Sequence, residues 1–179
     1  MSLAGADARP RLWTQDGFRE DPWQHAEDAG VLAEADAGVI LPLAAWLGLD
    51  PAQREAAASR LGVLLAPGEP LESLVPHLAQ LPLIALVFPA FSDGRSFSKA
   101  ELLRRRHGYR GTLRAVGDVL IDQISHMIRT GFTEFEVKNA TALARLEAGR
   151  PGGLPLHYQP AAKGAAPGRS FSWRRNPVG

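Results

Sequence analysis

Between residues 38 and 149 short apolar runs alternate with stretches that carry helix start and stop signals. Residues 39–43 (Val-Ile-Leu-Pro-Leu) read as a buried strand. Asp50-Pro51 then supplies an N-cap followed by proline at the first helical position. Gln53 completes a capping-box spacing, so a helix is expected to run to Arg60. Residues 63–66 form the next apolar run, and 71–80 reads as a helix that Pro76 must kink or shorten. Residues 82–88 are continuously apolar, as in a strand covered on both faces.

The alternation continues. Ser98-Lys-Ala-Glu101 has the spacing of a capping box, predicting a helix from Ser98 to the neighbourhood of His107-Gly108. Residues 112–116 read as a strand, 119–129 as a helix stopped by Gly131, 132–137 as a fifth strand, and 139–148 as a last helix. Strand and helix recur roughly every 21–26 residues, which predicts an α/β fold. The expected architecture is a mainly parallel sheet of about five strands with alternating helices, either open and doubly wound or half-barrel-like.

Three regions follow from the pattern: 1–37, an N-terminal hairpin and acidic segment; 38–149, the α/β core; and 150–179, a Pro/Gly-rich arm. Asp16-Gly17 predicts a type I′ hairpin, whose central residues both take positive φ. Trp13 and Trp23 are expected to pack on the core or on another subunit, because an isolated two-stranded hairpin is marginal.

Charge changes this picture at both ends. The arm holds five basic residues (Arg150, Lys163, Arg169, Arg174, Arg175) and no acid. Subtracting those five from the 20 in the chain leaves 15 basic against 19 acidic elsewhere. Glu20, Asp21, Glu27, Asp28, Glu34 and Asp36 cluster before Gly38. Such a run is a solvated acidic surface, a dock for the basic arm, or a contact for a basic partner. Tyr158, Phe171 and Trp173 give the arm more aromatic surface than a linker needs, so a homo-oligomer contact is expected. Nucleic-acid binding is not, because only three arginines accompany the arm's last two aromatics.

Composition narrows the chemistry further. The chain has no cysteine, which removes thiolate nucleophiles, dithiol redox pairs and cysteine-ligated clusters. The longest apolar runs fall well short of the roughly 20 residues of a membrane span, and no leader pattern opens the chain, so a cytoplasmic location is expected. No GxGxxG, GxxxxGK[ST] or GxSxG motif is present, so no standard nucleotide-binding motif identifies a cofactor. The five histidines show no metal-ligand spacing, and no metal site is assigned.

Phe88-Pro-Ala-Phe-Ser-Asp-Gly-Arg95 and Arg114-Ala-Val-Gly-Asp-Val119, with Met127-Ile-Arg-Thr-Gly-Phe132, carry a resemblance. Together they resemble the bacterial domain-of-unknown-function family 934 over residues 39–137, extending to Tyr158-Gln159. Its members are described as oxidoreductases of sulfite reduction. The resemblance implies either an oxidoreductase or an accessory protein of assimilatory sulfite reduction; a noncatalytic adaptor or assembly factor is the alternative. Sulfite-reduction proteins are the implied partners. Many relatives carry cysteine where this chain has Thr130, so no thiol mechanism is open at that position.

In parallel α/β sheets ligands bind beyond the carboxyl ends of the strands, where the loop 88–98 is expected. It brings together Asp93, Gly94, Arg95, Ser96 and Ser98 at a helix N-terminus, a set suited to a sulfite, sulfate or phosphate ion. The alternative is that Ser98 only caps the helix while Asp93 and Arg95 pair in a turn. Arg114 interrupts an apolar strand; it reaches solvent from an edge or is buried with carboxylate or anion partners. Asp118 is expected to cap the next helix or to orient Arg114 or Arg95. Gln123 falls in the apolar half of its helix, one turn from the start, bonding backbone or facing the site. Asp122, Ser125, His126 and Arg129 share the opposite, solvated face. Arg104-Arg105-Arg106 reads as a cationic helix face with a Glu101–Arg105 pair.

Overall fold

A computed structural model describes residues 9–33, 36–90 and 93–151. Eight strands form one mixed sheet: β1 (Arg11–Thr14), β2 (Gly17–Arg19), β3 (Trp23–His25), β4 (Gly38–Pro42), β5 (Leu61–Leu65), β6 (Leu83–Phe88), β7 (Thr112–Gly117) and β8 (Glu134–Val137). Their order is β2-β1-β8-β7-β6-β5-β4-β3. Strands β3 to β8 are parallel and in strict sequence order, whereas the β1–β2 hairpin adds antiparallel to β8. The five strands expected in the core are β4 to β8; the N-terminal segment adds three more, so the sheet has eight strands rather than about five.

Strict order has a consequence. Each right-handed crossover steps the same way, so the helices fall on one face of the sheet. The helices are α1 (Leu43–Gly48), α2 (Pro51–Ala56), α3 (Arg95–Glu101), α4 (Ile121–Thr130) and α5 (Ala140–Glu147). With no reversal of strand order there is no switch-point crevice of the doubly wound kind. Asp50 makes the expected capping box with Gln53, Asn139 caps α5 through Ala142 N, and Gly131 ends α4 at φ +108°. The 71–80 stretch is two short 3-10 segments, with Pro76 in the first turn of the second.

The other face curls inward. Only Glu20, Asp21 and Pro22 separate β2 from β3, at opposite edges of the sheet. Four extended residue steps reach at most about 14 Å. Eight strands laid flat would set those edges roughly 34 Å apart. The sheet therefore bends into an open half-barrel. Ile40, Leu83, Ala85 and Val116 are buried on the inner face, with Trp23, Leu64 and Val87 packed beside them. The main core, including Trp46, Phe88, Phe132 and Phe135, lies between sheet and helices.

The hairpin turn differs from expectation. Thr14 pairs with Gly17, so Gln15 and Asp16 are its central residues, and both have negative φ. Glycine takes the strained position at φ +113°, after the turn rather than inside it. Trp13 is buried against Phe135, with ring centroids 5.5 Å apart. The expectations for Tyr158, Phe171, Trp173 and the basic residues beyond Arg150 lie outside the described residues.

Candidate functional site

At the carboxyl end of β6 the helix starts earlier than the capping-box spacing predicts. Helix α3 begins at Arg95 after Gly94, so Ser98 sits inside it and caps nothing. Ser98 is exposed and lines a shallow hollow with Glu101, Leu102 and Arg105. Ser96 is fully buried and its hydroxyl donates to the Val87 carbonyl at 2.5 Å, clipping α3 to β6. The Arg95 guanidinium grips Asp93 through Nε at 3.0 Å and Nη2 at 2.7 Å, and its backbone N–H donates to the same carboxylate. That side-chain hydrogen bond holds the Asp93 carboxyl below its ordinary range. The polar groups of this loop thus bond chiefly to one another and to the sheet.

Gly117 and Asp118 close the neighbouring strand end. Gly117 has φ +93°, and a Cβ there would collide with the Phe88 carbonyl oxygen. Only glycine admits the Asp118 N–H to that oxygen, at 2.7 Å. The Asp118 side chain does not cap α4: Leu120 is the N-cap residue and no side chain bonds there. It does not orient the arginines either, since Arg95 pairs with Asp93 and Arg114 with Asp21, Glu134 and Glu136. Gln123 is half-buried in the first turn of α4, whose N-terminus lies at this same end.

Arg114 belongs elsewhere. β7 is an interior strand, so the edge alternative fails, and the guanidinium is fully buried on the inner face. Asp21 accepts from Nη1 and Nη2 at 2.8 and 2.9 Å, Glu134 from Nε at 2.9 Å, and Glu136 from Nη1 at 3.0 Å. His25 lies 2.7 Å from Glu136, joining β3 to β8 across the curl. Burial alone would lower the Arg114 pKa; the bonds and charges of Asp21 and Glu134 outweigh it and raise it. Burial would likewise raise the Glu136 carboxyl, but His25 and Arg114 together hold it below normal. The cluster sets three carboxylates around one guanidinium, with His25 beside Glu136, and ties the loop between the sheet edges to the sheet's middle.

A further cleft lies at the opposite end of the sheet from the start of α3, where β7 and β8 begin. It encloses about 710 Å³ and is lined by Arg104, Arg110, Tyr109, Thr112, Thr133 and Glu134, with Thr14, Asp16 and Arg19 of the hairpin alongside. Arg104 leaves a π-helical turn over Leu102–Arg106 that continues α3. Its guanidinium donates to the carbonyls of Tyr109 (2.6 Å), Gly111 (2.8 Å) and Gly131 (3.0 and 2.8 Å). Tyr109 is buried, its hydroxyl donates to the Leu81 carbonyl at 3.0 Å, and burial raises its pKa. The helix-face reading of the arginine triplet holds for Arg105, which pairs with Glu101 at 3.2 Å, but misses Arg104.

The sequence blocks that build these features are shared beyond this chain. The profile of a family described as bacterial protein of unknown function (DUF934) matches residues 62–169, more than half of the sequence. The chain belongs to the DUF934 family. A search of curated proteins finds no match. The match takes in the Arg95 loop, the Gly117–Asp118 corner and the Arg104 clamp, and starts after the acidic segment that contributes Asp21. Among the described residues no group of three or more His, Asp or Glu side chains is arranged to hold a metal, and no helix is long and apolar enough to cross a membrane.

Proposed function

We propose that this DUF934 protein is a cytoplasmic accessory protein of assimilatory sulfite reduction, acting as an adaptor rather than as the redox catalyst. The link to sulfite reduction rests on the family resemblance. The adaptor role rests on one observation: the charged side chains the fold gathers at Arg114 are spent on one another, as struts between strands. A general base or an oxyanion clamp needs a group held in place yet open to a ligand. Arg95, the strongest candidate clamp at the strand ends, already holds a carboxylate.

The N-terminal segment favours a contact role. Asp21 is drawn into the cluster, whereas Glu20, Glu27, Asp28 and Asp36 remain exposed around β3 at the sheet edge. This acidic strip suits a partner with a basic face.

Co-purification from cells expressing the tagged full chain with the sulfite-reducing enzyme of the same bacterium is the direct test, read together with the visible spectrum of the chain alone. Co-elution that weakens when the four exposed acids become Asn or Gln, with a colourless chain, is the expected result. A flavin or haem band on the isolated chain, with sulfite reduction by that chain alone, would overturn the adaptor in favour of an oxidoreductase.

A further inference from the structure

From the cleft at the amino ends of β7 and β8 we infer a ligand site, one for a small molecule bearing a sulfate-like or phosphate-like oxyanion. The inference does not depend on the adaptor role. Arg104 is half-buried and all its acceptors are neutral backbone carbonyls. Four of the five N–H groups of a guanidinium are so used, which fixes its plane while leaving its positive charge unmatched. Burial lowers its pKa, and no carboxylate acts against that. Arg110, on the same wall, makes no hydrogen bond or ion pair among the described residues.

The two carboxylates in the cleft wall do not supply the missing charge. Asp16 pairs with Arg19, and Glu134 shares Arg114 with Asp21 and Glu136; the lining itself sets Arg19, Arg104 and Arg110 against Asp16 and Glu134, an excess of one positive charge. An anion entering here meets a cation held in plane at Arg104, an exposed one at Arg110, and the side chains of Thr112 and Thr133. Arginine is over-represented where oxyanions are held, because its charge-assisted hydrogen bonds to them are strong and directional.

The surroundings are shaped for Arg104. A Cβ on Gly131 would stand 2.5 Å from Arg104 Cγ, and Gly131 has φ +108°. A Cβ on Gly111 would collide with the Tyr109 hydroxyl. The π-turn that carries Arg104 is a costly irregularity of a kind that recurs at functional sites. At about 710 Å³ the cleft is far larger than a bare ion and lies within the range of small-molecule sites. The oxyanion is therefore one end of a larger ligand, anchored at Arg104 and Arg110 with the rest toward the hairpin.

Calorimetric titration of the full chain with sulfate, phosphate, sulfite and pyrophosphate, at low salt and against a chloride control, tests this. Binding in the millimolar range or tighter is expected, with pyrophosphate ahead of the single ions. Arg110→Ala should weaken it tenfold or more while urea unfolding stays unchanged, because Arg110 has no partner to lose among the described residues. Arg104→Lys, which keeps the charge but loses the fork, should weaken it as well. Arg95→Ala should have no effect. Binding no tighter than chloride, or Arg110→Ala and Arg104→Lys both binding like wild type, would overturn the site. Loss of binding in Arg95→Ala alone would move it to the carboxyl ends of the strands.

Discussion

Arg104 and Arg114 sit ten positions apart, and the fold withdraws both from solvent by different means. Arg114 is fully buried and met by Asp21, Glu134 and Glu136. Arg104 is met by carbonyl dipoles and the Tyr109 ring on a cleft wall, and by no carboxylate among the described residues. Taking a charge out of water costs several kcal/mol unless it is compensated. At Arg114 the compensation is internal and complete, so the group serves the fold. At Arg104 it is partial, and completing it falls to a ligand. Counter-charge, more than burial, separates a strut from a binding group.

The most severe way to break that comparison is to remove Arg114. Arg114→Leu leaves Asp21, Glu134 and Glu136 facing one another around an apolar side chain. Breaking a buried ion cluster from one side costs about 3–5 kcal/mol, a large part of a typical domain's stability. The urea midpoint should fall sharply. Neutralising the set together, as Arg114→Leu with Glu134→Gln and Glu136→Gln, should recover part of the loss.

Gly131→Ala attacks the other arginine through the backbone. At φ +108°, with Arg104 Cγ in the way, alanine is strained and must displace the guanidinium. A cost of about 1–3 kcal/mol is expected from the backbone alone. Anion affinity should fall with it, because the fork loses its carbonyl seats. A Gly131→Ala protein with wild-type stability would show that this turn tolerates a side chain and that Arg104 is not seated by it.

Glu136 contributes a pH dependence to the cluster. Its folded pKa lies below the ordinary carboxylate value, so the folded state binds the proton less readily than the unfolded chain does. The stability so gained is present in full above the unfolded pKa, near 4.5, and is lost as pH falls through the folded value. Glu136→Gln should therefore lower stability at neutral pH by about 1–3 kcal/mol, the worth of a hydrogen bond to a charged group. It should also flatten the acid limb of the stability curve. An acid limb that keeps its wild-type slope in Glu136→Gln would place the titrating carboxylate elsewhere.

How much of this was legible in the chain depends on whether each element is made locally. The five strand–helix units announce themselves because an apolar run or a cap at Asp50, Asn139 or Gly131 is a short-range signal. Strand β3 does not: Trp23-Gln24-His25 is three residues long and exists because it pairs with Gly38, Val39 and Ile40. The curl followed from the order of strands, which no local pattern encodes. Arg114 was legible as an anomaly, but its partners were passed over. Glu134 and Glu136 share one face of a strand whose other face carries Phe135 and Val137, and that alternation was the available clue. Arg104 was hidden inside a run of three arginines. Its signal was the glycine at 131 that makes room for it, and that glycine acts only once the loops are folded together.

The smallest effects should come from the carboxyl-end loop, and they separate its two polar anchors. Arg95 and Asp93 form an exposed pair two residues apart, with the arginine side chain 64% accessible. Such a pair is screened by salt and held at an entropic cost, so Arg95→Ala should leave the urea midpoint where it is. Ser96 is the contrasting case one residue on. Its fully buried hydroxyl donates to the Val87 carbonyl and ties α3 to β6. Ser96→Ala should therefore lower stability by about 1 kcal/mol, the net worth of one hydrogen bond. A larger loss in Arg95→Ala than in Ser96→Ala would mean that the ion pair, not the buried hydroxyl, fastens α3 to the sheet. It would also return Arg95 to the centre of any account of this end of the molecule.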